Sequence, residues 1–285
     1  MFSRIVDLQV KVVEIPLKKT WEISLYSTSK RAHTIVRIKT EDGISGYGEA
    51  SPAPAFMGES GYTIETVIQR HLRDVVVGEN CFDIAKIHNR MDHVIDGNTA
   101  AKAAVDIALH DAAAKTLGIP VCDFLGGRVR QNIYLAWSIG LQDFDSSVEE
   151  ARFRYEEGYK VLKVKVGKDL EKDARLILRL REIFGPDIPL RLDANQGYSP
   201  VDAISLIKRL GSCAIETFEQ PVRKWDLDGM RHVREHSNGI PIMADESVSS
   251  LHDAGKVIQG KVADLVNIKV GKVGGLYRAG QIAAI

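Results

Sequence analysis

Charged side chains recur through the second half of the sequence at intervals of about one strand plus one helix. From Lys165 onward the next positions follow after 28, 26, 26 and 24 residues, each at the end of a short apolar run. The series consists of Lys163 with Lys165, then Asp193, Glu219, Asp245 and Lys269. This order of cation, three anions and cation predicts a site in which lysines flank three carboxylates.

The three carboxylates predict a binding site for a divalent cation. Asp193, Glu219 and Asp245 offer only oxygen ligands, which is the donor type that Mg²⁺ prefers and that Mn²⁺ also accepts. The sequence shows no histidine and cysteine cluster with the spacing of a zinc site. We therefore expect Mg²⁺, with Mn²⁺ as a substitute.

The flanking lysines predict proton transfer. Lysine acts as a base only when its pKa falls toward neutrality, and a second ammonium group, a divalent cation and burial all lower that pKa. Lys163 is expected to act in this way on Lys165. Lysines on opposite sides of a bound carboxylate substrate predict that the α-proton is removed on one face and returned on the other, which is epimerisation.

Plainer interpretations of the same residues exist. The segment VLKVKVG at 161–167, taken alone, is typical of an amphipathic edge strand with solvated lysines. The charges could also form a structural ion network, or the chain could be non-catalytic, either an inactive truncated barrel or a binding module that uses the same pocket. Five strand ends with a charge at the same level favour a functional site, because unpaired charges are costly to bury.

From residue 132 onward, short β-type runs alternate with amphipathic helical stretches. The six runs span 132–140, 161–167, 189–195, 215–221, 240–247 and 265–271. Repeated strand–helix units predict a parallel α/β fold, and repetition without a change of pattern favours a (β/α)8-type barrel. Because only six strands can be counted, we expect a barrel truncated after about six strands. Catalytic groups of such barrels lie at the carboxyl ends of the strands.

The first part of the chain has a different pattern. Alternating runs at 3–15, 33–40 and 45–50 predict an antiparallel meander, and residues 62–117 have the periodicity of three helices. His110 lies on an apolar helix and is expected to be packed and hydrogen-bonded. The sequence therefore predicts an α+β domain at residues 1–125 and a barrel domain at residues 126–285.

Composition narrows the class of protein further. The chain has 38 basic and 38 acidic side chains, so no excess of charge indicates a nucleic-acid or membrane partner. The sequence has three widely spaced cysteines, and it shows neither a signal-peptide core nor a long apolar run. These features predict a cytoplasmic protein with reduced thiols.

Several short motifs resemble the enolase superfamily, and within it the muconate lactonizing enzyme subgroup. They are KVK at 163–165, DANQGY at 193–198, FEQP at 218–221, ADES at 244–247 and NIK at 267–269. The helix sequence at 103–120 and FLGG at 124–127 resemble the signature of the family. Lysine at 269 favours this subgroup over the mandelate racemase subgroup, which uses a His–Asp pair on later strands.

The resemblance implies an N-terminal α+β capping domain over a modified TIM barrel, and it implies a role for each motif residue. The metal ligands would be Asp193, Glu219 and Asp245. The acid/base pair would be Lys165 and Lys269, assisted by Lys163. The residues that support them from outside would be Asn195, Glu246 and Asn267. Members of the family are often dimers or octamers, so a homo-oligomer is expected.

The resemblance also indicates a substrate class. The subgroup holds dipeptide epimerases, N-acylamino acid racemases, o-succinylbenzoate synthases and muconate cycloisomerases. The segment at 46–60 is most similar to the dipeptide epimerases, so a dipeptide or a related amino-acid derivative is expected, with cycloisomerisation as the alternative. In this family that loop and the loop around 18–30 close over the substrate, which makes Phe56 and Tyr26 candidate contacts. Ser138 and Trp137, at the end of the first barrel strand, are further candidates, with packing as the alternative role.

Overall fold

Two sheets organise the chain. The computed structural model describes residues 2–22 and 27–285, and it describes only the backbone at positions 19, 21 and 56. A three-stranded antiparallel sheet comes first and a six-stranded parallel sheet follows. The predicted order of an α+β part followed by a parallel α/β part is confirmed.

The antiparallel sheet is the meander that the sequence predicts, but its first two strands are longer. The strands are β1 Ile5–Glu22, β2 Ser27–Thr40 and β3 Ser45–Ala50. Pairing of β1 with β2 continues to the contact between Glu22 and Ser27. Residues 27–32 of β2, which extend the predicted strand, are exposed or half-buried, so they lack the alternation of buried apolar residues by which strands are recognised.

Helices cover the antiparallel sheet. They are α1 Pro54–Met57, α2 Gly61–Val67, α3 Arg73–Val76, α4 Ile84–Val94, α5 Thr99–Leu117 and α6 Val121–Phe124, and a π-helical turn at Ile68–Leu72 joins α2 to α3. Helix α5 is followed by Gly118, which caps it in the left-handed region that glycine adopts readily. It approaches β3 so closely that a Cβ atom on Gly48 would lie 2.0 Å from the Ala104 carbonyl oxygen.

The parallel sheet keeps its strands in chain order. The strands are β4 Ala136–Ile139, β5 Val161–Lys165, β6 Leu190–Asp193, β7 Thr217–Glu219, β8 Ile242–Ala244 and β9 Leu265–Val266. The helices are α7 Phe144–Glu156, α8 Leu170–Phe184, α9 Pro200–Leu210, α10 Leu227–Glu235, α11 Leu251–Gln259, α12 Val270–Val273 and α13 Leu276–Ala283. All six predicted strands are present, and the predicted truncation of the barrel stays a prediction.

Each of these strands is shorter than the run that predicted it, and sharp turns at the carboxyl edge of the sheet end β6 and β7. Asn195, Gln196 and Gln220 have φ values of 42°, 70° and 37°. Asparagine tolerates this left-handed conformation better than most residues, and such conformations concentrate at functional sites. The turns end β6 and β7 directly after Asp193 and Glu219.

Each sheet has its own hydrophobic core. One cluster of buried side chains lies between Ile5 and Ala113, and the other lies between Ile139 and Ile282. The two parts meet where the Asp106 carboxylate of α5 accepts a hydrogen bond from the Leu276 amide at 2.5 Å. The boundary at residues 125 and 126 stays a prediction.

No helix in the described part of the chain combines the length and the apolar character that a membrane-crossing helix requires.

Candidate active site

The register of the parallel strands brings the predicted charged residues to one level. Lys165 on β5 is the register partner of Asp193 on β6, which is the partner of Glu219 on β7. Asp245 follows β8 directly, and Lys269 is the residue before α12. Residues at the same level of parallel strands point to the same face, so these side chains converge at the carboxyl edge of the sheet.

Two lysines contact the first two carboxylates. The Lys163 Nζ atom lies 2.8 Å from Asp193 Oδ2 and 2.6 Å from Glu219 Oε2. The Lys165 Nζ atom lies 2.6 Å from the same Asp193 oxygen and donates to Asn195 Oδ1 at 2.6 Å. The lysine side chains are only 19% and 10% exposed. The interpretation of this segment as an edge strand with solvated lysines is therefore wrong.

Two further lysines contact the third carboxylate. Lys269 Nζ forms an ion pair with Asp245 Oδ2. On the other side, Lys272 Nζ lies 3.0 Å from Asp245 Oδ1, and it also donates to the backbone carbonyls of Asp245 and Asn267. Lys272 was missed by the sequence analysis. Its position three residues after Lys269 could have revealed it, since residues at that spacing share one face of a helical turn.

The three residues expected to support the carboxylates all lie in this cluster. Asn267 donates from Nδ2 to Glu219 Oε1 at 2.9 Å. The Asn195 amide donates to Asp193 Oδ1 at 3.0 Å, and its side chain donates to Glu246 Oε1 at 2.9 Å. The other Glu246 oxygen is buried and has no hydrogen-bond partner among the described residues.

Burial and neighbouring charge move the pKa values of the acidic groups in different directions. Burial raises the pKa of Asp193 and of Asp245, but the lysines beside each outweigh it and lower both pKa values. For Glu219, burial and the charge of Asp193 outweigh Lys163, and the pKa is raised. For Glu246, burial and the charge of Asp245 raise the pKa to about 7.

The pKa values of the lysines differ from those that the sequence leads us to expect. Burial lowers the pKa of Lys163 and of Lys269, but the adjoining carboxylates outweigh burial and raise both pKa values above the ordinary range. For Lys272 burial dominates, and its pKa is lowered. The sequence indicated that the lysines approach one another, but it could not show how closely the carboxylates pair with them.

The three carboxylates suit a hard divalent cation. Asp193 and Asp245 are fully buried and Glu219 is nearly so, and each is oriented by a hydrogen bond from a lysine or an asparagine. They come from the ends of adjacent strands and supply only oxygen atoms. A Mg²⁺ site requires oxygen ligands of this kind, held in place by hydrogen bonds from neighbouring side chains.

The structure separates the two candidate contacts on β4. Ser138 is the register partner of Lys163 and therefore shares its inward face. Trp137 points the other way, toward α7, where its Nε1 donates to Glu150 at 3.0 Å and its ring lies 3.7 Å from the Arg154 guanidinium. The structure thus places Trp137 in a packing position outside the cluster of lysines.

A cavity adjoins Lys165 at the carboxyl edge of the sheet. It has a volume of about 320 Å³ and lies between the loops that follow β4 and β5. The other lining residues include Gly140, Leu141, Gln142, Phe144, Arg175 and Leu176. Tyr26 and the side chain of Phe56, which the sequence also names as candidate contacts, lie outside the described residues.

Comparison with known proteins identifies the family. The mandelate racemase / muconate lactonizing enzyme N-terminal domain matches residues 5–126, and the enolase C-terminal domain-like family matches residues 146–285. An L-Ala-D/L-Glu epimerase of Clostridium acetobutylicum is 35% identical over 281 residues, which are 98% of this chain and 78% of that protein. The chain belongs to the enolase superfamily, in the muconate lactonizing enzyme subgroup.

Solved members of the enolase superfamily share the fold. A dipeptide epimerase from Enterococcus faecalis, solved with Mg and the dipeptide L-Leu-L-Tyr, is 36% identical with a TM-score of 0.94, covering 98% of this chain and 78% of that one. A muconate lactonizing enzyme from Pseudomonas fluorescens, solved with muconolactone, is 29% identical with a TM-score of 0.95, covering 100% of this chain and 78% of that one. Both resemble this chain over the capping part and the barrel part.

Proposed function

We propose that this member of the enolase superfamily is an isomerase that epimerises a dipeptide or a related amino-acid derivative. It does so by removing the proton α to the substrate carboxylate and returning it on the other face. One observation carries the proposal: Lys165 and Lys269 contact the two outer members of a row of three buried carboxylates. The similarity to epimerases that are named for dipeptides supports the substrate class.

The proposed mechanism uses the two outer lysines in turn. Lys165 removes the α-proton from one face of the substrate, and Lys269 delivers a proton to the opposite face, or the reverse for the other epimer. Lys163 stays protonated between two carboxylates and contributes fixed positive charge. Because the base must be neutral and the acid protonated, the enzyme needs its two lysines in opposite protonation states at the start of each turnover.

The proposed metal ligands are Asp193, Glu219 and Asp245. When bound, Mg²⁺ supplies positive charge that stabilises the enediolate and offsets the carboxylate charge that raises the pKa of Lys269. Two unit charges ~4 Å apart interact by about 4 kcal/mol at an effective dielectric constant near 20. This is a substantial share of the roughly 8–23 kcal/mol by which enzymes lower barriers. We also propose that Mn²⁺ can replace Mg²⁺, because it accepts the same oxygen ligands.

Cycloisomerisation of a muconate is the second candidate function. It needs the same enolate chemistry beside a carboxylate, and the similarity to a muconate lactonizing enzyme solved with muconolactone favours it. Racemisation of an N-acylamino acid and the o-succinylbenzoate synthase reaction are variants of the same chemistry. The alternative to an enzyme is a binding module, which would bind the ligand without transferring a proton.

Proton NMR in D₂O with Mg²⁺ tests these candidates together. The panel contains L,L-dipeptides, N-acylamino acids, o-succinylbenzoate precursors and cis,cis-muconate. Loss of one α-proton signal with appearance of the second epimer supports the epimerase, and formation of a lactone selects the cycloisomerase. Binding of Mg²⁺ and of a panel compound without any proton exchange would refute the proposed catalysis.

Variants of the two lysines test whether the epimerisation seen by NMR arises at the proposed site. Lys165→Ala and Lys269→Ala should each abolish epimerisation, whereas Lys208→Ala, an exposed lysine on α9, should leave it unchanged. Unimpaired epimerisation in both site variants would contradict the proposed roles.

The partners proposed for this chain are a small-molecule carboxylate and further copies of the chain itself. The homo-oligomer is proposed only by analogy with the family. Light scattering of the purified protein would measure its mass directly, and a mass equal to that of one chain would refute the oligomer.

A further inference from the structure

A second group of potential metal ligands lies on the helix that follows β7. His232 and Glu235 are on α10, and His236 is the residue that caps it. Among the residues that the structure describes, this is the one set of three histidine, cysteine or acidic side chains whose ligand atoms all lie within 4.8 Å of one another. All three side chains are exposed to solvent.

Helical geometry explains why these side chains meet. Positions 232, 235 and 236 are separated by three and four residues, and residues at these spacings share one helix face. The opposite face of α10 carries the buried Met230 and Val233, which fix the helix against the barrel. The centroids of the His232 and His236 rings are 4.3 Å apart. The three ligands are thus presented together by a helix whose orientation is set by packing.

One imidazole is already oriented as a metal ligand requires. The His236 Nδ1 atom lies 2.8 Å from the His232 carbonyl oxygen. A carbonyl only accepts hydrogen bonds, so Nδ1 carries the hydrogen and Nε2 keeps its lone pair in the neutral ring. Metal-binding histidines commonly use their second ring nitrogen in this way, which fixes both the tautomer and the ring orientation.

The carboxylate of the set is not used by the basic side chains beside it. Arg231 pairs with Asp228 at 2.6 Å, and Arg234 pairs with Asp264 at 2.6 Å. The Glu235 carboxylate has no hydrogen bond or ion pair with another described residue. Its oxygen atoms are therefore available to a cation, and the nearby positive charges are partly balanced by other carboxylates.

We propose that His232, Glu235 and His236 form a surface binding site for a divalent transition-metal ion of the Zn²⁺, Ni²⁺ or Cu²⁺ class. Imidazole nitrogen suits these ions, whereas Mg²⁺ prefers oxygen ligands and its own waters. Three protein ligands leave at least one coordination position open for water or an outside ligand.

The site lies at the opposite end of the barrel from the carboxylate cluster. Helix α10 follows the carboxyl end of β7 and leads back to the amino end of β8. Because the three ligands lie in its second half and at its cap, they lie near the amino edge of the sheet. The two sites therefore do not share ligands and can be loaded with different metals.

Isothermal titration of the whole protein with Zn²⁺, in buffer that holds saturating Mg²⁺, tests the proposal. We expect one Zn²⁺ to bind per chain. His236→Ala should weaken binding by at least about tenfold, since loss of even an outer partner of a metal ligand costs about that much. His232→Ala should do the same, and the double variant should remove binding. His252→Ala, an exposed histidine on α11, is the matched control and should bind as the wild type does.

A second variant separates this site from the carboxylate cluster. Asp193→Asn should lose Mg²⁺ binding and keep the Zn²⁺ isotherm. The proposal is overturned if no Zn²⁺ binds, if the double histidine variant binds Zn²⁺ as tightly as the wild type, or if Asp193→Asn abolishes the Zn²⁺ isotherm. Circular dichroism of each variant checks that the fold is kept, and exposed positions on one helix face are not expected to disturb it.

Discussion

Asp106 connects the two parts of the chain, and replacing it with asparagine should destabilise the protein. Its carboxylate is fully buried on α5. It lies 2.7 Å from His88 Nε2 and 3.3 Å from His110 Nδ1, and it accepts the Leu276 amide of the barrel part at 2.5 Å. Asparagine keeps the shape of the side chain but removes its charge and one acceptor oxygen.

The magnitude follows from the buried charge. Burial alone raises the pKa of Asp106, yet hydrogen bonds and charge from His110 and His88 lower it, so the ionised form is the one that the folded state holds. Removing one partner of a buried ion pair costs about 3–5 kcal/mol. Since asparagine retains one acceptor, we expect about 3 kcal/mol. At roughly 2–4 °C per kcal/mol for chains of this size, the melting temperature should fall by roughly 6–12 °C.

Differential scanning calorimetry below pH ~6.5, where free histidine is largely protonated, is the suitable assay. The matched control is Asp111→Asn on the same helix, whose carboxylate is partly exposed and pairs with Lys115. Exposed pairs contribute about 0–1 kcal/mol, so the control should melt within roughly 4 °C of the wild type. Equal melting temperatures for Asp106→Asn and Asp111→Asn would refute the role given to the buried charge.

Three further predictions concern stability. Gly48→Ala should lower the urea midpoint by the equivalent of about 1–3 kcal/mol or more, because the new Cβ atom would lie 2.0 Å from the Ala104 carbonyl oxygen; an unchanged midpoint would contradict this. Burial lowers the pKa of His110, but the adjacent carboxylate outweighs it and the net pKa is raised. The resulting stabilisation is complete below the unfolded pKa of ~6.5 and is lost as the pH rises through the higher folded pKa. The urea midpoint of the wild type, relative to that of His110→Gln, should therefore fall over that pH range. Parallel curves of urea midpoint against pH for the two proteins would exclude the effect. Tyr198→Phe should cost about 1–3 kcal/mol, since the buried hydroxyl donates to Asp173 at 2.5 Å, and a denaturation curve identical to that of the wild type would show that this bond is not needed.

Spacing along the chain was sufficient to predict where the charged residues meet. In a parallel sheet the strand period fixes the level of each strand end, so residues such as Lys165, Asp193 and Glu219 become register partners without further information. The packed and hydrogen-bonded position of His110 is also confirmed. Both features depend on local periodicity, which a single sequence displays directly.

Features that depend on distant parts of the chain could not be predicted. Trp137 is the register partner of Leu162 and shares its outward face, but the sequence does not show which face of a short strand points inward. The bond between Asp106 and the Leu276 amide joins residues 170 positions apart. The contacts of Lys272 depend on the turn between β9 and α12, which brings its side chain to Asp245 on the neighbouring strand end.

Proton transfer by two lysines on opposite faces is the central claim, and deuterium exchange in single-lysine variants tests it most directly. Each variant is incubated with Mg²⁺ in D₂O with either epimer of the best substrate, and exchange at the α-carbon is followed by proton NMR. We predict that Lys165→Ala and Lys269→Ala fail to interconvert the epimers, and that each still exchanges the α-proton of one epimer only, with the preferred epimer reversed between the variants. Exchange of the same epimer by both variants, or continued epimerisation by either, would contradict the account.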